Sequence, residues 1–215
     1  MQIVFSPKRK LQGMARDLAA MICCAVWCIG AMTDSMAAEN VAGISIDHAA
    51  KFKANKTMSR KSTERLRDTR VPIESVDAFE ADVPWADKRI TGTVYVVRTR
   101  YRKGFKRSLD EVVQETFDDI TEKYGDKAGV LLNKRVRING LDAQRLSFAL
   151  QVDDVTVGAE TLVLQNRAQD VLWIVQVVFD ESSAGPKGSL NKEARRLKAV
   201  QIVDSVRVAT AIKTP

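Results

Sequence analysis

The stretch Val171-Leu-Trp-Ile-Val-Gln-Val-Val-Phe179 decides the fold. It is apolar at every position but Gln176 and rich in β-branched residues, which pack well on a pleated surface and poorly in a helix. Successive side chains of a strand point to opposite faces, so a strand apolar on both faces needs a covering layer on each side. The run therefore predicts a central strand in a sheet sandwiched between other elements.

Three more strand-like runs lie upstream, Val130 to Ile138, Leu141 to Val152 and Val155 to Gln165. Asn139-Gly140 between the first two suits a type I′ hairpin turn, because both residues tolerate positive φ. Pairing outward from that turn places Ile138, Val136, Leu141 and Ala143 on one face, and Leu131, Leu146, Phe148 and Leu150 on the other. Such a switch of apolar face implies a bulge or a sheet covered on both sides, and the run at 171–179 favours the second.

Before these runs, Ser108-Leu109-Asp110-Glu111 forms a capping box, and Leu109, Val112, Val113, Phe117, Ile120 and Tyr124 follow at helical spacing up to a stop at Gly125. The segment Arg89 to Tyr101 is a strand. Ile90, Val94, Val96, Arg98, Arg100 and Arg102 share one face of it, and Thr91, Thr93, Tyr95, Val97, Thr99 and Tyr101 the other. Downstream of Phe179, a loop from Ser182 to Ser189 leads to an amphipathic stretch with Leu190, Ala194, Leu197, Val200 and Val203. A short strand around Val206 to Val208 follows. The class is α+β, a mostly antiparallel sheet covered by helices, in one domain over residues 71–215.

At the N-terminus, Lys8, Arg9, Lys10 and Arg16 precede an apolar run from Leu18 to Met32, which ends in small and polar residues with Ser35 and Ala37 at the positions a signal peptidase reads. Residues 1–37 read as a signal peptide cleaved near Ala37 or Ala38, the alternative being an uncleaved anchor; a periplasmic or secreted location follows. Cys23, Cys24 and Cys28 all lie in this run, so the mature chain has no thiol and no disulfide framework. Residues 38–70 carry eight Lys/Arg against four Asp/Glu, whereas 71–215 carry 22 against 21. The basic excess belongs to this leader, which has few large apolar residues and no sustained period and reads as a flexible tether or a frayed helix.

The Phe79-Glu-Ala-Asp-Val-Pro84 opening, the capped helix, the Asn-Gly-Leu-Asp-Ala-Gln-Arg hairpin from Asn139, the Trp173-bearing strand and Ile202-Val-Asp-Ser-Val-Arg207 together resemble the PsbP-like group of exported α/β/α sandwiches, which includes DcrB-like bacterial proteins. The resemblance spans about residues 71–210. It implies a non-enzymatic role and an antiparallel sheet between helices, and it carries over no functional residue.

Catalytic signatures are missing from the sequence. His48, the only histidine, stands in the leader away from any nucleophile, and no zinc-protease, nucleophile-elbow or phosphate-loop motif occurs in a fitting context. Asp118-Asp119 and Asp153-Asp154 read as surface pairs, since helix neighbours diverge by about 100° and the second pair occupies a turn. No enzyme activity, cofactor or metal is expected. A small hydrolase with dispersed carboxylates ranks third among the function classes. The first is an accessory protein that binds another envelope protein. The second is a basic protein that binds anionic lipid or polymer through Lys51, Lys53, Lys56, Arg60 and Lys61; nucleic acid is not expected, as no aromatic residues interleave with the charges. Arg98, Arg100, Arg102, Lys103, Lys106 and Arg107 form the candidate anion or partner site, reinforced by the amides at the helix start after Ser108.

Overall fold

The computed structural model describes residues 39–47, 51–83, 85, 91–105, 107–152, 155–181 and 192–208. In chain order these form β1 (Glu39–Val41), β2 (Ile44–Ile46), β3 (Lys53–Ala54), α1 (Lys56–Asp68), β4 (Ile73–Asp82), β5 (Gly92–Tyr101), α2 (Leu109–Tyr124), β6 (Ala128–Ile138), β7 (Leu141–Val152), β8 (Val155–Asn166), β9 (Val171–Asp180), α3 (Lys192–Asp204) and β10 (Arg207–Val208). Seven strands make one sheet in the order β3-β4-β5-β9-β8-β7-β6, with every neighbouring pair antiparallel. A small second sheet has the order β1-β2-β10.

β9 is the middle strand, flanked by β5 and β8, and both of its faces are covered. Val171, Trp173, Val175, Val177 and Phe179 point to one core, which is closed by Ala199, Ile202 and Val203 of α3 and by Ile44 and Ile46 of β2. Leu172 faces the other, where Tyr101, Leu146, Phe148 and Val163 meet Leu109, Val112 and Val113 of α2, with Leu66 of α1 at its margin. Each face of the sheet thus removes an apolar stripe from water, the main favourable term in folding.

Helix α2 starts where the capping box predicts. Ser108 Oγ accepts from the Glu111 amide at 3.1 Å and Glu111 Oε2 accepts from the Ser108 amide at 2.7 Å. The β6–β7 turn has Asn139 at φ 50° and Gly140 at φ 80°, and pairs Ile138 with Leu141. Of the two candidate causes of the face switch, the sheet covered on both sides accounts for it: Ala143 joins one core and Leu146 the other while the register between them is unbroken, and the bulge between Val130 and Leu132 lies beyond the switch. Leu131, which alternation groups with Leu146, Phe148 and Leu150, is 55% exposed at this bulge.

The flexible tether expected over 38–70 is corrected in its described parts. β1, β2, β3 and α1 are built into the fold, and Ile44 and Ile46 are fully buried. Their composition hides this, since a three-residue strand needs only two inward apolar side chains. α1 buries no residue completely; Leu66 packs at the core margin, Ser59 Oγ accepts from the Ala78 amide, and Asn55 caps the helix by accepting from the Met58 amide. The signal peptide, His48, Lys106, Asp153-Asp154 and the loop from Ser182 lie outside the described residues.

Candidate functional site

Within the basic cluster of β5 and the following turn, Arg98 and Arg107 fall on opposite faces of the sheet. Arg98 lies on the face of α3 and the β1–β2 turn; its guanidinium donates to Asp77 Oδ2 through Nη2 at 2.7 Å and Nε at 3.1 Å, and to the Ala42 carbonyl at 3.4 Å. Arg107 lies toward the opposite face, buried at the start of α2 and ion-paired with Glu115. Tyr101 beside it has its phenol pKa raised by burial, an effect that the Arg107 charge opposes. Arg100, Arg102 and Lys103 are exposed.

A different charged cluster, unread in the sequence, sits beneath α3. Glu160 of β8 and Glu181, which follows β9, are each 1% exposed. Arg196 of α3 reaches between them, with Nη1 2.7 Å from Glu160 Oε1 and Nη2 2.6 Å from Glu181 Oε1, and its guanidinium stands 5.6 Å from the Phe179 ring centroid. Ser147 Oγ donates to Glu160 Oε1 at 2.5 Å, Arg145 Nη2 lies 3.9 Å from Glu160 Oε2, and Lys192 Nζ lies 3.7 Å from Glu181 Oε1. Burial raises the Glu160 carboxyl pKa; Ser147, Arg196 and Arg145 oppose the rise. Both carboxylates hold the same guanidinium, so the arrangement fastens α3 to the sheet. The available signal was a glutamate inside the apolar run Val157–Leu164, where a charge requires a partner.

The two edges of the large sheet are treated differently. The outer edge of β4 is covered over Ala78–Glu80: β3 pairs Lys53 with Glu80 and Ala54 with Phe79, the Asn55 amide donates to the Ala78 carbonyl at 2.8 Å, and the Ala78 amide donates to Ser59 Oγ at 2.8 Å. The outer edge of β6 has no pairing strand among the described residues, although β6 runs for 11 residues. Val130 and Leu131 are exposed there at 51% and 55%. Lys134, Arg135 and Arg137 make β6 basic, and it contains no acidic residue.

Beside this edge, a groove of about 420 Å³ runs between β6 and the start of α2, lined among others by Asp110, Arg135, Arg137, Asp142 and Arg167. Arg135 pairs with Asp110, and Arg137 Nε lies 3.7 Å from Asp142 Oδ1. Among the described residues no group of three or more His, Cys, Asp or Glu side chains could hold a metal, and no helix is long and apolar enough to cross a membrane.

No family model and no curated protein matches the chain. Among solved structures, it is similar to a Pseudomonas aeruginosa protein of unknown function at 12% identity and TM-score 0.39, covering 49% of this chain and 68% of that one. It is also similar to the T6SS immunity protein TplEi of Pseudomonas aeruginosa, solved with a peptide, at 15% identity and TM-score 0.42, covering 65% of this chain and 50% of that one. TM-scores this low do not define a shared fold.

Proposed function

We propose that this chain is an exported, non-enzymatic accessory or binding protein of the bacterial cell envelope, acting through protein–protein contacts at the open edge of β6. The contrast between the two sheet edges carries the reading. An unpaired strand edge offers a row of backbone donors and acceptors that proteins ordinarily cover, shorten, bulge or line with charge, and β6 has only the last two. Here β4 is covered over Ala78–Glu80, whereas β6, 11 residues long, has no strand on its outer side among the described residues and exposes two large apolar side chains. The order of charged, apolar and small residues over 1–37 supports export, and the PsbP-like resemblance is consistent with a non-enzymatic role.

One observation favours a second reading, association with anionic lipid or polymer. Lys51, Lys53, Lys56 and Arg60 are exposed around the start of α1, a helix that buries no residue.

Co-purification from the envelope of the native host, with a C-terminal tag and washes at low and then high salt, separates the two. A protein partner retained at high salt supports the first reading. Loss of every partner at high salt, together with salt-sensitive binding to anionic vesicles, overturns it in favour of the second. Recovery of the full-length chain from the cytoplasm would remove the envelope assignment.

A further inference from the structure

We propose that the outer edge of β6 takes an extended acidic segment of a partner protein as an eighth strand of the large sheet. The inference rests on the protein-contact reading above and names the chemistry of the partner.

Residues that face each other across an antiparallel pair share a face of the sheet. Asn133 pairs with Leu146, Arg135 with Gln144 and Arg137 with Asp142; Leu146 belongs to the core under α2, so Arg135 and Arg137 project on the α2 side. Lys134 pairs with Arg145 and Val136 with Ala143, whose core lies under α3. A strand added outside β6 would pass a basic side chain on one face at Lys134 and two on the other at Arg135 and Arg137. At the far end it would meet the exposed Val130 and Leu131.

A complementary segment alternates carboxylates along the half that meets Lys134 to Arg137 and carries apolar residues at the end that meets Val130 and Leu131. Main-chain hydrogen bonds to β6 would hold it, and the side chains would set its register and direction. The exposed pairs of Arg135 with Asp110 and Arg137 with Asp142 do not block this. Such pairs are weak in water, and each guanidinium has five N–H donors to share. A second copy of this chain is a poor occupant, because edge-to-edge pairing would bring two uniformly basic strands together.

The test uses the mature chain and a capped ten-residue peptide that alternates glutamate with valine. Its controls are a lysine-for-glutamate counterpart and a version methylated on every backbone amide. Backbone hydrogen exchange is read by mass spectrometry over residues 128–138 and, for comparison, 73–82. The acidic peptide should slow exchange in 128–138 alone, neither control should bind, and the double variant Arg135→Glu/Arg137→Glu should weaken binding tenfold or more. Both arginines are exposed, at 67% and 78%, so the variant keeps its core, and Lys134→Glu is an independent check.

The proposal fails if the acidic peptide does not bind or binds without slowing exchange in 128–138. It also fails if the methylated peptide binds as well, or if the outward amides of β6, those not bonded to β7, are already protected in the free chain. In the co-purification, a partner that stays on the double variant overturns the edge inference and the placing of the contact at β6, and leaves only the protein-contact role standing. The absence of any protein partner removes both.

Discussion

Trp173 Nε1, on the central strand β9, donates to the carbonyl of Ala42 at 2.9 Å, joining residues 131 positions apart. Ala42 and Gly43 form the turn between β1 and β2 with φ of 54° and 88°. The same carbonyl accepts from Arg98, so two long side chains of the large sheet hold this turn, and Ile44 and Ile46 beyond it are completely buried. Ile44→Ala and Ile46→Ala should each cost about 2 to 5 kcal/mol, the range for emptying a core site. Urea unfolding reads this directly, and an unchanged midpoint would restore the flexible-tether reading of the segment.

Arg196 bridges two buried carboxylates, and its removal leaves Glu160 with Ser147 and the more distant Arg145, and Glu181 with Lys192 at 3.7 Å. Breaking a buried ion pair from one side costs about 3 to 5 kcal/mol, since the charge left behind is poorly compensated. Arg196→Ala should fall in that range. The exposed Arg60, 3.9 Å from Glu64 on α1, should cost less than about 1 kcal/mol on replacement by alanine. Equal effects of the two substitutions in urea unfolding would deny the cluster its fastening role.

Stability should also depend on pH through Glu160. Burial is the largest influence on its carboxyl and raises the pKa; Ser147, Arg196 and Arg145 pull it down by less. The folded chain therefore keeps a proton that the unfolded chain releases once pH passes the ordinary glutamate value of about 4.3. Over the window from that value up to the raised folded pKa, the contribution of Glu160 to stability declines as pH rises, and below the window it is fully present. Glu160→Gln should flatten this part of the profile. Unfolding midpoints of both proteins over a pH series check it, and parallel profiles would contradict the assignment.

Gly158 pairs with Phe179 across β8 and β9, and a Cβ added there would run into the Phe179 ring. Gly158→Ala should destabilise by about 1 to 3 kcal/mol, as overpacking does. Gly129→Ala, whose Cβ would meet only the Ala149 carbonyl oxygen at 3.8 Å, is the control expected to be tolerated. A thermal melt comparing the two variants decides.

The sheet and α2 were legible because their signals are local. The continuous apolar run of β9, the Asn139-Gly140 turn and the Ser108–Glu111 capping box each state their structure within a few residues. β1, β2 and α1 were not, because what orders them is distant: the Trp173 indole for the β1–β2 turn and the β4 backbone for α1. β4 escaped notice since acidic residues interrupt its apolar positions. The basic cluster was visible as composition, but strand pairing hands Arg98 to Asp77 and chain reversal hands Arg107 to Glu115, partners that no spacing rule predicts. That β6 ends the sheet among the described residues is equally invisible, because which strand ends a sheet is settled by topology and not by the strand's own residues.

Photo-cross-linking in living cells of the native host tests the central claim most directly. A photoreactive phenylalanine derivative is placed at Leu131 on the β6 edge in one strain and at Glu74, exposed on β4 at the opposite end of the sheet's strand order, in another. The account predicts one discrete protein adduct from position 131, abolished by Arg135→Glu/Arg137→Glu, and none from position 74. Adducts from position 74 alone, or none from either position while partners still co-purify at high salt, would contradict it.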